Sequence, residues 1–217
     1  MFDTAAARRL MVDGQVRTAD VTNLDLIAAM LAVPRELFVP PPLAEQAYLD
    51  SDIAIGGGRA LLKPMVLAKL IQAARVSGSD RVLDVACGTG YSSAVLSRLA
   101  GSVIALEDDP ALARRAQDTL AAAGAAHVTV VTGPLASGWP AGAPYDVILL
   151  NGASEIVPEA LGKQLKPGGR LVCIFGRSPN GKGTIFRLIE GQLAGRPIFD
   201  AAAQVLPGMA APPAFVF

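Results

Sequence analysis

The stretch VLDVACGTGYSSAVLSRLAGSVIALEDD, residues 82–109, decides the fold of this chain. In it an apolar run meets an acid and a tight Gly-x-Gly turn, a helical run follows, and a second apolar run ends at Glu107. Apolar runs that hardly alternate are typical of strands in a parallel sheet covered on both faces. Ligands bind to such sheets beside the carboxyl ends of the strands, where this turn lies. The stretch therefore predicts an α/β fold with a nucleotide site at the turn.

The same alternation of strand and helix continues along the chain. A buried strand is predicted at RVLDVA, further strands at SVIALE, HVTVVTG, YDVILLNG and GRLVCIFG, and helices at SSAVLSRLA, PALARRAQDTLAAAG and VPEALGKQL. Pro110 suits the first turn of the second helix, and Gly124 follows its end. The last β-run, GTIFRLIEGQLAGRPIFDAAAQVL, leaves no room for a crossover helix. It therefore predicts an antiparallel hairpin that closes the sheet.

The N-terminal part carries a different pattern. We predict an extension of helices and a glycine-rich loop over residues 1–62, joined in one compact unit to a domain of residues 63–217. TAAARRLMVDGQ and TNLDLIAAMLAV have helical apolar spacing, with Thr4 and either Thr22 or Asn23 as candidate caps. The proline-rich VPRELFVPPP ends the second helix and predicts an extended passage. YLDSDIAIGGGRALLKP then predicts a glycine-rich loop before the next helix.

The amino-acid composition argues against several classes of protein function. Lys plus Arg and Asp plus Glu number 19 each, without a basic tract, so electrostatics give no support for nucleic-acid binding. His127 is the only histidine, and Cys87 and Cys173 lie in predicted core elements, so no metal site or histidine-based triad is expected. No apolar run approaches the ~18 residues of a membrane span, and the N-terminus lacks a signal-peptide pattern. We expect a cytoplasmic protein without a membrane partner.

The turn itself discriminates between nucleotides. A dinucleotide site favours Gly-x-Gly-x-x-Gly, but Ser93 stands three positions after Gly90. The segment DVACGTG, followed by Glu107, instead resembles motif I of class I S-adenosylmethionine-dependent methyltransferases. That resemblance implies a Rossmann-like fold with a mainly parallel seven-stranded sheet, a C-terminal antiparallel hairpin and N-terminal helices.

The same resemblance implies S-adenosyl-L-methionine as the cofactor. The turn would meet its methionine end, and Glu107 would accept both ribose hydroxyls, for which a carboxylate is well suited. The predicted cofactor-binding residues are Asp84, Ala86, Gly88, Thr89, Gly90, Tyr91, Glu107, Asp108, Gly133, Asn151 and Gly152.

Segments outside the turn are more specific. LIAAMLAVPRELFVP, AYLDSDIAIGGGRALLKP, YDVILLNGASEIVPEAL and LKPGGRLVCIFG resemble the protein-L-isoaspartate O-methyltransferase family, in its order and at its spacings. The resemblance runs from about residue 10 to 207, and VPRELFVP and the glycine loop before KP are its specific parts. It implies repair of damaged proteins by methylation of the free carboxylate of isoaspartyl residues.

This chemistry suits a chain that is poor in catalytic residues. The acceptor is a carboxylate with a pKa near 4 in model peptides, so it is already ionised at neutral pH. The methyl donor is an activated sulfonium, and the transfer needs no general base. Alignment of the two reactants can supply roughly 7–11 kcal/mol.

Two positions depart from the family pattern. The family carries a Ser or Thr hydroxyl for the acceptor where this chain has Leu62, and a neighbouring threonine where it has Ala60. Loss of such a hydrogen bond to a charged group costs roughly 1.5–3 kcal/mol. Lys63 and the free amides of the following helix are the remaining candidates to hold the acceptor anion. Alternatively, Leu62 is a core residue and the loop no longer serves isoaspartate.

The second departure follows HVTVV. The family usually has Gly-Asp there, with the acid accepting from the adenine amino group, whereas this chain has Gly133 and Pro134. Asn151 and Gly152 are candidates to line the adenosine pocket, although an asparagine there also suits a turn. Trp139 is expected to be a packing residue rather than a stacking partner of the cofactor.

Three hypotheses about function stay open on the sequence. The first is an isoaspartyl methyltransferase with weakened acceptor contacts, a monomer or weak dimer whose partners are isoaspartyl proteins or peptides. The second is a methyltransferase with another acceptor, since Leu62 makes the loop more apolar. The third is a non-catalytic relative that binds cofactor or a partner, since Leu62 and Pro134 both depart from the family.

Overall fold

A seven-stranded sheet forms the centre of the molecule, which a computed structural model describes over residues 3–212. Its strand order is β5-β4-β3-β6-β7-β8-β9. The strands β3 to β7 pair in parallel, and β8 and β9 are antiparallel to their neighbours. The bounds are β3 Arg81–Val85, β4 Ser102–Glu107, β5 Thr129–Thr132, β6 Tyr145–Ser154, β7 Leu165–Phe175, β8 Lys182–Ile189 and β9 Gln192–Asp200. The predicted sheet and closing hairpin are confirmed.

The strand order brings the carboxyl ends of β3, β4 and β6 together. Because β3 lies between the other two, the turn after it opens at the centre of this edge. Both faces of these strands are buried, as apolar runs without alternation predict.

Six α-helices accompany the strands in the described part of the chain. They are α1 Thr4–Met11, α2 Leu24–Ala32, α3 Pro64–Ala74, α4 Tyr91–Leu96, α5 Pro110–Ala122 and α6 Glu159–Gly162. Asn23 caps α2 by accepting from Leu26 N at 2.9 Å, as predicted. The predicted cap of α1 was wrong, because Asp3 accepts from Ala6 N and Thr4 is the first helical residue. Gly124 follows α5 with φ +73°, as expected of a residue past a helix end.

Two further predictions for the N-terminal part were wrong. The proline-rich segment is not extended, since Arg35–Phe38 and Pro41–Gln46 form 3₁₀ turns. The glycine-rich segment is not a simple loop, since β1 Ile53–Gly56 and β2 Arg59–Leu61 form a two-stranded antiparallel hairpin. Proline at the first positions of a turn presets the backbone for it, and strands of this length give almost no periodic signal.

Two apolar clusters cover the faces of the sheet. The larger cluster packs α1 to α5 and the β1–β2 hairpin on one face. The smaller packs α6, Leu135 and the C-terminal residues Leu206 and Met209 on the other. The larger cluster contains residues from both sides of the predicted boundary at 62–63. Among the described residues no helix has the length and hydropathy needed to cross a membrane.

Candidate cofactor-binding site

The turn after β3 depends on residues with positive φ. Ala86, Gly88 and Gly90 have φ of +58°, +57° and +93°. A Cβ on Gly88 would lie 2.5 Å from Ile55 Cδ1 of the hairpin, and one on Gly90 would lie 3.0 Å from Leu120 Cγ of α5. The two glycines therefore serve different contacts, because Gly88 faces the hairpin whereas Gly90 lets α5 approach.

Asp84 is a buried acid held by three donors. Its Oδ2 accepts from Ser92 Oγ at 2.7 Å and from Ser93 Oγ, and its Oδ1 accepts from Asn151 Nδ2 at 2.5 Å. Burial raises the pKa of Asp84 to about 6, although the three hydrogen bonds oppose that rise. The carboxylate thus fixes the start of α4 and the end of β6 around the turn.

These contacts explain two residues that the sequence left ambiguous. Ser93 stands where a dinucleotide site would favour glycine, and its hydroxyl bonds to Asp84. Asn151 lies within β6 rather than in a turn, and it also reaches Val85 O at 3.4 Å. Its side chain lines the space beside the turn. The hydrogen bonds of Ser93 and Asn151 to Asp84 therefore orient these two side chains, and residue spacing alone did not predict them.

Glu107 is the second buried acid and lies at the end of β4. Its Oε2 accepts from Gly88 N at 2.8 Å, which ties the strand end to the glycine turn. Its Oε1 accepts from Asp108 N at 3.0 Å and Asp109 N at 3.3 Å. Burial raises the pKa of Glu107, with the neighbouring Asp108 carboxyl adding to the rise and the nearby Arg59 guanidinium opposing it.

Arg59 of the hairpin completes this cluster, and sequence reasoning missed it. Its Nε and Nη2 lie 3.2 and 3.1 Å from Glu107 Oε1, and Nη2 also pairs with Asp108. The side chains of Arg59 and Glu107 are 3% and 0% exposed, and that of Asp108 is 30% exposed. A lone arginine in a glycine-rich run, 48 residues before its partner, offers no local signal.

The hairpin closes over the turn. Ile55, Leu61 and Leu62 cover Gly88, and the cavity between them is about 10 Å³, close to the limit for one water molecule. A second cavity of about 250 Å³ lies beside the hairpin, between Arg59, Ala60 and Leu62 on one side and Gly152 and Leu206 on the other. Asn151 lines both cavities, so the turn and the outer cavity are neighbours.

Thr89 and Tyr91 connect the turn to the N-terminal segment. Thr89 Oγ1 donates to Phe38 O at 2.5 Å, and the Tyr91 ring packs edge-on against Phe38 at 5.6 Å between centroids. Arg35 lies over the same ring at 4.6 Å and donates to Ala47 O and Leu62 O. Tyr91 also lines the small cavity over Gly88. The VPRELF segment therefore packs against the glycine turn and the start of α4.

Gly133 directly follows β5, and Gly152 lies near the carboxyl end of β6, with β4 and β3 between the two strands. Gly133 N donates to Glu107 O at 3.1 Å, and a Cβ on Gly133 would lie 3.4 Å from Trp139. A Cβ on Gly152 would lie 2.6 Å from Leu206. Trp139 packs against Gly133 and Gly142, which agrees with its predicted packing role.

Leu62 and Lys63 lie at the end of the hairpin. Leu62 is 4% exposed and lines both cavities. Lys63 N donates to Asp52 Oδ1 at 2.7 Å and precedes α3, but Lys63 lines neither cavity. The hairpin thus presents an apolar side chain where the family resemblance implies a hydroxyl.

Comparison with known proteins agrees with this geometry. The family model described as "Protein-L-isoaspartate(D-aspartate) O-methyltransferase (PCMT)" matches residues 8–192. The chain belongs to this family. A protein-L-isoaspartate O-methyltransferase of Methylorubrum extorquens is 43% identical over 186 residues, 86% of this chain and 80% of the relative. One of Pelotomaculum thermopropionicum is 42% identical over 172 residues, 79% of this chain and 75% of the relative.

Solved structures of isoaspartate methyltransferases share the fold. One described as a protein-L-isoaspartate O-methyltransferase superposes with a TM-score of 0.79 at 24% identity, covering 93% of this chain and 66% of its own. A Plasmodium falciparum protein assigned to the same group, in complex with S-adenosyl-L-homocysteine, gives a TM-score of 0.78 at 16% identity. That comparison covers 95% of this chain and 99% of the other.

S-adenosyl-L-methionine is the cofactor of this family, and the residues around the turn suit its ribose and methionine ends in chemistry, while the hairpin fills the space above Gly88 in this structure. Glu107 offers a buried carboxylate whose Oε2 takes one donor, which suits a diol. The glycine turn offers backbone close to that carboxylate. At the adenine end Pro134 supplies no acid and no backbone donor.

Proposed function

We propose that this protein transfers the methyl group of S-adenosyl-L-methionine to the free carboxylate of isoaspartyl residues in damaged proteins. The observation that carries the proposal is the buried Glu107 carboxylate held 2.8 Å from the Gly88 amide, in a chain that belongs to the isoaspartate methyltransferase family. A diol has a place to donate there because Glu107 Oε2 accepts only one hydrogen bond and so keeps acceptor capacity.

The bound cofactor supplies a methyl group on a positively charged sulfur. In this chain Glu107 would hold the ribose, and the turn from Ala86 to Gly90 would hold the methionine end. Asp84 would keep the turn in place through its bonds to α4 and β6. The outer cavity beside Leu62 would take the acceptor, since it adjoins the turn through Asn151.

The acceptor oxygen needs no base in this scheme. An isoaspartyl carboxylate is ionised at neutral pH, so its oxygen already carries the electron pair that forms the new C–O bond. The C–S bond breaks with its electrons going to sulfur. The chain's contribution is to orient the two reactants and to exclude water, and the apolar side chains of Ile55, Leu61 and Leu62 favour that exclusion.

A second candidate is a methyltransferase with a less polar acceptor. Ala60, Leu62, Ala203 and Leu206 line the outer cavity and offer no side-chain donor to a carboxylate. This candidate predicts cofactor binding of the same strength but label on another species.

Further aspects of the proposal rest on the sequence and the family. Methylation would serve repair of age-damaged proteins, and two free buried cysteines favour a reducing compartment such as the cytoplasm. We propose a monomer or weak dimer that combines residues 1–62 and 63–217 in one unit.

The test is transfer of tritiated methyl groups to an isoaspartyl peptide, with the normal aspartyl peptide as control. We expect base-labile label on the isoaspartyl peptide alone. Label no higher than without enzyme would refute the proposal, provided that calorimetry shows S-adenosyl-L-homocysteine to bind. In that case label on another component of a cell extract would support the second candidate.

A further inference from the structure

Arg59 lies between the two halves of the site. Its guanidinium contacts the ribose-binding acid Glu107, and the same residue lines the outer cavity beside Leu62. No other residue of the Glu107 cluster, apart from the adjacent Gly58 whose carbonyl Arg59 contacts, lines that cavity. We propose that Arg59 binds the acceptor carboxylate, and that it becomes available when a ribose diol replaces it on Glu107.

The first step concerns competition at Glu107. Oε1 accepts from three N–H groups, one of them Arg59 Nε, and forms an ion pair with Arg59 Nη2 at 3.1 Å, while Oε2 accepts only from Gly88. A carboxylate oxygen has two lone pairs, so a diol that spans both oxygens has to displace a donor from Oε1. The amides of Asp108 and Asp109 are fixed by the strand end and by α5. Arg59 is the donor that can leave by a change of rotamer.

The second step concerns where the displaced guanidinium can bond. Asp108 is 30% exposed and keeps one contact with Nη2. Nη1 makes only a long bond of 3.4 Å to Gly58 O. Loss of Glu107 therefore leaves several N–H groups of a buried cation without acceptors, which is costly unless a new anion arrives.

The third step concerns what the outer cavity offers an incoming carboxylate. Among the described residues that line it, Arg59 is the single cation. Ala60 and Leu62 provide no donor, and the Asn151 amide is engaged by Asp84. Gln204 is neutral and exposed, and Asp52, the anion of the lining, accepts from the Lys63 amide. A guanidinium fits a carboxylate through paired N–H groups, so Arg59 supplies what the missing loop hydroxyls would have supplied.

This inference rests on the proposed function and predicts coupled binding. Before cofactor binds, Arg59 is satisfied by Glu107 and Asp108, so the acceptor should bind weakly. Once the ribose holds Glu107, the acceptor should bind more tightly. Binding of the two ligands is then cooperative, and by linkage the effect is reciprocal.

The experiment measures binding rather than turnover. An isoaspartyl peptide and its neutral isoasparaginyl counterpart are titrated calorimetrically into the full chain, with and without saturating S-adenosyl-L-homocysteine. For the unmodified protein we expect the isoaspartyl peptide to bind roughly ten- to a hundredfold more tightly with the cofactor product present. The isoasparaginyl peptide should show no such gain.

Arg59→Gln should remove this difference between the peptides. Affinity for the isoaspartyl peptide should fall roughly ten- to a hundredfold, while affinity for S-adenosyl-L-homocysteine stays equal or rises. Arg59→Lys retains the charge and guards against misfolding of the neutral variant. The matched control is Arg187→Gln, an exposed arginine of β8 that lines neither cavity, which should change nothing.

Two results would overturn the inference. One is equal affinity of the unmodified protein for the isoaspartyl peptide with and without S-adenosyl-L-homocysteine, which needs no variant. The other is an Arg59→Gln protein that binds the cofactor product more tightly but still prefers the charged peptide. If the unmodified protein binds the cofactor product but neither peptide, the proposed function itself fails.

Discussion

Leu62→Ser is the substitution that tests the acceptor site most directly. Leu62 lines the outer cavity where the family resemblance implies a hydroxyl. A hydroxyl there could donate to the acceptor carboxylate, and a hydrogen bond to a charged group is worth about 1.5–3 kcal/mol. We expect kcat/KM for an isoaspartyl peptide to rise roughly ten- to a hundredfold, since each 1.36 kcal/mol is a factor of ten.

The same substitution should weaken the fold. Leu62 is 4% exposed, and removal of a buried leucine side chain costs about 2–5 kcal/mol. For a domain of this size each 1 kcal/mol shifts Tm by about 2–4 °C. A gain in activity accompanied by a lower Tm would therefore separate a specific effect on the acceptor from a general improvement of the protein.

Leu61→Ser is the matched control. Leu61 is 6% exposed and lines the small cavity over Gly88, but it does not line the outer cavity. It should lose similar stability without any gain in methyl transfer. The assay is base-labile tritium transfer below the Tm of both variants. A folded Leu62→Ser protein no faster than Leu61→Ser would refute the placement of the acceptor.

Three further outcomes are expected. Glu107→Gln should weaken S-adenosyl-L-homocysteine binding, measured by calorimetry, roughly ten- to a hundredfold. Asp108→Asn, at the partly exposed edge of the cluster, should change that affinity less than about threefold. Equal effects of the two substitutions would contradict the assignment of Glu107 to the ribose. Because burial raises the pKa of Asp84 to about 6, the native state keeps a proton that the unfolded chain has already lost. The free energy of unfolding, measured by urea titration, should therefore fall as pH rises from about 4 to about 6, by up to about 1.4 kcal/mol per pH unit. Asp84→Asn should remove this pH dependence. If the variant keeps it, other groups cause the pH dependence. Gly90→Ala should lower Tm more than Gly124→Ala. Both glycines have positive φ, but only a Cβ at position 90 would meet another side chain, Leu120 of α5. Equal losses of Tm would argue against this contact with α5.

The parts of the fold that the sequence predicted are those with long local patterns. The central parallel strands β3, β4 and β6 are buried on both faces and therefore read as continuous apolar runs. Pro110 begins α5 as its sequence position indicated. Glu107 could be proposed as a ligand-binding acid because the glycine turn and the strand ending at Glu107 resemble motif I of class I methyltransferases.

The parts that the sequence did not predict depend on contacts between distant residues. The β1–β2 hairpin has strands of four and three residues, which are too short for a periodic signal. The pairing of Arg59 with Glu107 joins positions 48 residues apart. The bond from Asn151 to Asp84 joins positions 67 residues apart. Such partners are chosen by the register of the sheet and by loop conformation, which no local pattern encodes.

The buried cation Arg35 hydrogen-bonds to the chain on both sides of the β1–β2 hairpin. Arg35 donates to Ala47 O at 2.7 Å and to Leu62 O at 2.8 Å, so a single guanidinium holds the two ends of the intervening segment together. The apex, with Arg59 and the three glycines, is held by the pairing of Arg59 with Glu107 and Asp108. If ligand entry requires this pairing to open, we expect the observed association rate to level off at high ligand concentration, at the rate of that opening.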